Sequence, residues 1–239
     1  MIVLAVVTVI QARAQTGTSS QPQSANAAAD FPEKPPPDER GGTAAFVSAN
    51  FGMSVTPDAT APMGDLDAGF RMSKHLSMFG GYGLVRNLQP ATHQPYVDIA
   101  VAQIARRQIS VTGEARESAQ YAWGGLRLDL PTSWHASPYL MAGAGWVRSA
   151  PSAQFTYGAG SATVSGSTAT TGQDATSDVL STGVFVGDGW NALMFRWAAG
   201  LSIPIRGPWG IDARYRWSRM FAANPVTAQG LTVGFTYRF

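Results

Sequence analysis

Ionisable side chains recur at alternate positions in several stretches of this chain. Asp65, Asp67 and Arg71 interleave with Leu66, Ala68, Phe70 and Met72, and Arg127 and Asp129 with Leu126, Leu128 and Leu130. Arg196 stands between Phe195 and Trp197, Asp212, Arg214 and Arg216 alternate with Ile211, Ala213, Tyr215 and Trp217, and Arg238 separates Tyr237 from Phe239. In an extended strand, period-two placement puts such groups on one face and the apolar residues on the other. Charges of both signs gathered on one face could line a conducting path or neutralise one another. Unpaired charges in a narrow interior are costly, so a packed network of ion pairs is the expected outcome, with Arg214 and Arg216 bonded to acids such as Asp212 and Asp129.

Other residues that could do chemistry are sparse. His75-Leu76-Ser77 places an imidazole near a hydroxyl, yet a His activates a Ser only when both reach one oriented carbonyl site, and this pair falls at a short turn. His93 and His135 lie in separate connections and are expected to be solvated, which gives no metal-ligating cluster. Asp174 and Asp178 sit in a Gly, Ser and Thr-rich stretch without the turn Gly and terminal Glu of a calcium loop, and are expected on a solvated surface. Cysteine is absent, which excludes disulfides, thiolate zinc sites and thiol catalysis. No cofactor is expected, and a formal charge of +2 over 239 residues offers no basic patch for nucleic acid.

The elements that must position these residues are strands. Met1 to Ile10 is apolar and is followed by Ala12-Arg13-Ala14, a small-x-small site, so residues 1–14 are expected to be a secretory signal cleaved before Gln15. Residues 15–42, rich in Gln, Ser, Ala and Pro, are expected to form a flexible tail. From residue 43 to 239 alternation predicts eight strands, near Thr43–Met53, Gly64–Met72, Leu76–Arg86, Ala119–Leu130, Pro138–Arg148, Leu193–Ile203, Trp209–Arg219 and Ala228–Phe239. Short and long connections alternate strictly between them. An up-and-down antiparallel barrel would therefore gather its short turns at one rim and its long loops at the other. In the second long connection, Val97, Val101, Ile104 and Ile109 recur at helical spacing, which predicts a short amphipathic helix within Pro95–Gln108 that caps the barrel mouth.

Which face meets which solvent follows from the aromatic residues. No window approaches the 18 or more consecutive apolar residues of a membrane helix, whereas each predicted strand is long enough to cross a hydrocarbon core at a tilt. Trp134 and Trp209 fall beside short turns, and Trp146, Trp190 and Trp217 toward the long-loop ends, as two interfacial girdles would. The apolar face is therefore expected to meet lipid and the charged, Gly-rich face the lumen, the inverse of a soluble ligand-binding barrel. The facing of the third and fifth strands is open, since both their faces are apolar.

In the final strand Leu231, Val233, Phe235, Tyr237 and Phe239 share one face and the strand closes on an aromatic residue. This resembles the terminal targeting signal of bacterial outer-membrane barrels, and the stretch from Thr43 to Phe239 resembles the small eight-stranded barrels of the outer membrane protein A and opacity-protein type. The resemblance implies an all-β transmembrane barrel with short periplasmic turns and long extracellular loops, located in the bacterial outer membrane. It also implies contact with outer-membrane lipid and lipopolysaccharide and with the barrel-insertion machinery during assembly; the loop partner is open. The resemblance to the outer membrane protein A type does not extend to its peptidoglycan-binding domain, so that anchoring is not expected. His75-Leu76-Ser77 resembles the His-x-Ser arrangement of outer-membrane lipid A deacylases, but at the wrong rim.

The expected role is a non-enzymatic anchor that displays surface loops for envelope structure, adhesion or recognition. A narrow channel for small or hydrophobic solutes is the alternative, and a lipid-modifying enzyme ranks below both because no polar triad is evident near the long-loop rim. If the aromatic face of the last strand is the recognition element, Phe239→Asp should sharply reduce the heat-modifiable protein recovered from membranes while Arg238→Gln assembles normally. Equal recovery of the two variants would exclude it.

Overall fold

The computed structural model describes residues 45–132, 135–160, 163 and 168–239. The signal and tail expected over residues 1–42, and Trp134 of the short-turn girdle, lie outside them. Eight strands follow one another as β1 (Ala45–Val55), β2 (Thr60–Arg71), β3 (Leu76–Val85), β4 (Val111–Asp129), β5 (Ser137–Tyr157), β6 (Asn191–Arg206), β7 (Trp209–Met220) and β8 (Val226–Arg238). Each pairs antiparallel with the next, and β1 pairs with β8 to close the barrel. Closure satisfies every ladder inside the sheet, the condition for strands to enter hydrocarbon.

The apolar face points out. Phe51, Leu66, Phe70, Leu126, Leu193, Leu231, Val233 and Phe235 are all exposed on the outer surface, while Ser48, Asn50, Asp65, Asp67, Arg196, Asp212, Arg214 and Arg216 are buried within. The two strands whose facing the sequence leaves open are resolved by burial: Ser77, Phe79 and Val85 of β3 and Tyr139, Met141 and Val147 of β5 point inward, leaving Met78, Tyr82, Leu84, Leu140 and Trp146 to lipid. Trp209, Tyr237 and Phe239 make successive edge contacts, with centroids 5.0 and 4.9 Å apart, at the short-turn rim. Trp190 departs from the expected outer girdle, because its indole packs against the inward apolar cluster and donates to a buried carboxylate.

The main departure from the sequence reading is the length of β4 and β5, 19 and 21 residues, which begin and end well inside what were expected to be loops. At about 3.3 Å per residue, such a hairpin runs roughly 60 Å, so even when tilted it projects far beyond an apolar band about 25 Å tall. Helix α1 (Pro90–Ala105) lies along this raised hairpin. It starts earlier than the hydrophobic spacing predicts because Pro90 takes a first-turn position, where its missing amide costs nothing. Gln94 fastens it by accepting from the Ala115 amide (2.9 Å) and donating to the Gly113 carbonyl (3.2 Å) of β4. Its face of Val97, Ala100 and Ile104 joins Val111, Ala115, Phe155 and Tyr157 of the hairpin and Val179 of helix α2 (Thr176–Ser181) in a second core, separate from the barrel interior.

A charge on the lipid face should be costly where a charge on the lumen face is accommodated. Val233→Arg, at an outward position 59% exposed, should destabilise the barrel by about 2–4 kcal/mol in urea titrations from bilayers. A cost near zero would place that surface in water.

Candidate functional site: the barrel lumen and its two mouths

Three layers fill the interior. Nearest the long loops, Met63, Val85, Met194, Met220 and Val226 converge from five strands and close the lumen with apolar side chains. Below them lies the charged layer. Asp67 accepts from Arg214 Nη1 at 2.5 Å and from Trp123 Nε1 at 3.2 Å. Asp65 is paired with Arg216 and accepts from Asn50 Nδ2 at 2.9 Å and from Tyr121 at 3.3 Å. Arg214 Nη2 donates to Asn50 Oδ1 at 3.1 Å, and Arg216 Nη2 to Thr232 Oγ1 at 2.9 Å. Strands β1, β2, β4, β7 and β8 are thereby tied together across the lumen. Arg196 is held over the rings of Tyr121 and Trp123 at 4.0 and 4.9 Å, and bonds Ser218 Oγ at 2.7 Å. The void between the apolar and charged layers is about 10 Å³, no more than one water requires.

The expected ion-pair partners are corrected here. Arg214 and Arg216 pair with Asp67 and Asp65 of β2, not with Asp212 or Asp129. The long side chains of Arg214 and Arg216 reach past their neighbouring strands to the acids of β2, while shorter groups such as Asn50 and Thr232 bond within adjacent pairs. Asp212 accepts the Thr236 hydroxyl instead, and Asp129 accepts Arg127 Nε at 2.9 Å. The lumen residues that sequence reading missed are uncharged ones: Ser48, Asn50, Tyr121 and Trp123 occupy inward positions at the same period, and that parity was the available signal. Gly81 of β3 is required here, since a Cβ would overlap the Asp67 carboxylate and stand 2.8 Å from Trp123 Nε1.

The third layer is a mouth at the short-turn rim. A cavity of about 240 Å³ is lined by Arg71, Lys74, Arg127, Asp129 and Arg238, among others. Arg71 is exposed there, Arg238 half-buried with Nη2 2.5 Å from Ser202 Oγ, and Arg127 buried over the Tyr139 ring at 3.8 Å.

At the opposite end the structure assembles a group that the sequence did not suggest. Glu117 of β4 is fully buried and accepts from Ser149 of β5 and from Trp190 Nε1 at 2.8 Å, with His93 Nε2 of α1 3.6 Å away. His93 is thus buried rather than solvated, because α1 lays it against the raised hairpin. The three side chain types invite a nucleophile reading, but Ser149 donates to the carboxylate and not to the imidazole, and Glu117, Ser149 and His93 are all buried. Glu117 acts as a hub joining α1, β4, β5 and the approach to β6. It was hidden because it falls where a loop was expected.

The remaining candidates stay apart. His75 lies at the short-turn mouth and His135 is exposed, and among the described residues no group of three metal-ligating side chains forms. Asp174 is exposed and its carboxyl is held below the usual range by hydrogen bonds from Thr176, side chain and amide, the latter at 2.8 Å; Asp178 accepts from Tyr157 at 2.8 Å. Leu231, Val233, Phe235 and Tyr237 follow one outward row of β8 and Phe239 lies just past its end, with only Tyr237 half-buried.

The family model described as "Outer membrane protein beta-barrel domain" matches residues 2–239. No curated protein matches the chain. Among solved structures, the chain is similar to Neisserial surface protein A at 14% identity and a TM-score of 0.44, covering 82% of this chain and 96% of that one. It is similar to Ail, the attachment invasion locus protein of Yersinia pestis, at 13% identity and a TM-score of 0.41, with 82% and 97% covered. It is also similar to the outer membrane enzyme PagL at 11% identity and a TM-score of 0.40, with 81% and 99% covered.

Removing one member of a buried pair leaves the other charge uncompensated. Asp67→Ala should destabilise the barrel by about 3–5 kcal/mol and introduce intermittent leak in planar bilayers, against no large steady conductance from the wild type. A steady conductance from the wild type would overturn the closed-lumen reading.

Proposed function

We infer that this chain, which belongs to the outer membrane protein beta-barrel domain family, serves as a closed anchor whose raised β4–β5 hairpin presents a recognition surface outside the cell. It is an eight-stranded barrel of the bacterial outer membrane whose long connections, β3 to β4 and β5 to β6, leave from one rim. The finer role rests on one observation. Above the lipid band, a second core built from α1, α2 and the hairpin stiffens the loops, and on its outer side Tyr96 and Phe185 stand edge to face at 5.5 Å, both exposed, with Ile99 one helical turn from Tyr96. Apolar groups clustered on a stiff extracellular platform favour adhesion or partner binding over a purely mechanical role.

The interior supports the same reading. Apolar side chains and neutralised charges fill the lumen, which speaks against solute passage through the barrel. The Glu117 hub has no accessible nucleophile, which speaks against catalysis at the outer rim. The outward apolar band supports contact with lipid and lipopolysaccharide as the proposed surroundings, and the aromatic row of β8 remains the proposed element read during insertion.

Cells displaying Tyr96→Ser with Phe185→Ser should lose several-fold in adhesion to immobilised extracellular-matrix proteins or hydrophobic beads, with the amount of heat-modifiable barrel unchanged. If adhesion of wild type and variant is equal, the patch is not a recognition surface.

A further inference from the structure

We propose that the periplasmic mouth of the lumen is a binding site for a small multivalent oxyanion, a solute bearing phosphate or carboxylate groups. Two aspartates match Arg214 and Arg216 in the charged layer, but this balance fails at the mouth. Around the cavity of about 240 Å³, the four cations Arg71, Lys74, Arg127 and Arg238 outnumber the carboxylates that act on Arg238, Asp129 at the wall and Asp212 buried behind Thr236. The cavity is well above the ~30 Å³ that one water takes up in the liquid, so it has room for a polyatomic ion.

Two of the four cations are held in place before any ligand arrives. Arg127 is 5% exposed, lies 3.8 Å from the Tyr139 ring centroid and 5.2 Å from that of Phe46, and donates Nε to Asp129 at 2.9 Å. Arg238 is steadied by Ser202 at 2.5 Å. Arg71 and Lys74 are exposed at the lip, and neither is in an ion pair among the described residues. A fixed guanidinium at the wall and exposed cations at the lip suit an anion that enters from the periplasm and is then enclosed. The guanidinium fork matches the planar oxygens of carboxylate and phosphate, and Lys74 adds a point charge. Like charges crowded in a partly enclosed space repel, and an anion between them relieves the repulsion, so the preference of the site is set by sign before shape.

The test is isothermal titration of full-length folded protein in neutral detergent with pyrophosphate and with citrate at low salt. Saturable one-to-one binding of at least one of them is expected, and the tighter probe tells phosphate from carboxylate. Affinity should fall at least tenfold in Arg71→Gln with Lys74→Gln, whose side chains are exposed and make no folding contacts in the barrel core. The control pair Arg148→Gln with Arg219→Gln, exposed toward the other end, should leave it unchanged. Repeating the pyrophosphate titration in nanodiscs separates two sources of the same chemistry: equal affinity in phosphatidylcholine and phosphatidylglycerol discs marks a dissolved anion, and weaker affinity in the anionic discs marks a lipid headgroup competing for the site. Absence of saturable binding by either probe, or equal weakening by the control pair, would overturn the proposal.

Discussion

Hydrocarbon offers no partner for a free amide or carbonyl, and from that single constraint the rest of this molecule can be followed. The strands must close into a ring, and eight of them leave a lumen only wide enough for side chains. Because the outer face is given to lipid, the polar residues that alternate with it have nowhere else to go. Charge is thus forced into a narrow space with little water, where an isolated ion is prohibitive and a matched pair is tolerable. Arg214 with Asp67 and Arg216 with Asp65 answer that requirement, and in doing so cross-link strands on opposite walls that share no ladder. The carboxylates also accept from Asn50, Tyr121 and Trp123, so the pairs sit in a hydrogen-bonded frame and do not rest on charge alone.

Much of this was legible in the sequence because a tilted strand in a bilayer has a strict period. The alternation of Leu231, Val233 and Phe235 with Gly and Thr located β8 and its facing, and the succession of eight such strands gave the topology, although the connections of β1 to β2 and β7 to β8 are short where long loops were expected because the strands run on into them. The legible part ends where the lipid ends. In the upper half of β4, Thr112, Glu114 and Arg116 face water while Gly113 and Glu117 interrupt the inward apolar row, so the pattern that marks a membrane strand fades although the strand continues. Cross-lumen partners were hidden for a different reason. Arg214 and Asp67 are 147 positions apart, and their meeting depends on the stagger of the closed sheet, which no local pattern encodes. His93 combined both difficulties, since its burial depends on a helix that packs against a hairpin not expected to extend that far.

The order of the three lumen layers bears on what such a barrel can do. Cross-linking the walls at mid-depth and conducting through mid-depth compete for the same few side chains, and this chain has committed them to cross-linking. With the apolar layer above, the centre is sealed from the outer side, so chemistry is left to the two ends, where water is available. At the outer end the Glu117 hub and the second core convert two connections into a stiff platform. Platforms of this kind lower the entropic cost of binding because their surface is ordered beforehand. At the inner end the same layer works as a floor: it keeps Arg127 from collapsing inward onto Asp65 or Asp67, whose valences are already taken by Arg216 and Arg214. The commitment of Asp65 and Asp67 to Arg216 and Arg214 is therefore what leaves the mouth cationic, and the closed interior, which speaks against passage, is also what makes each end available as a separate surface.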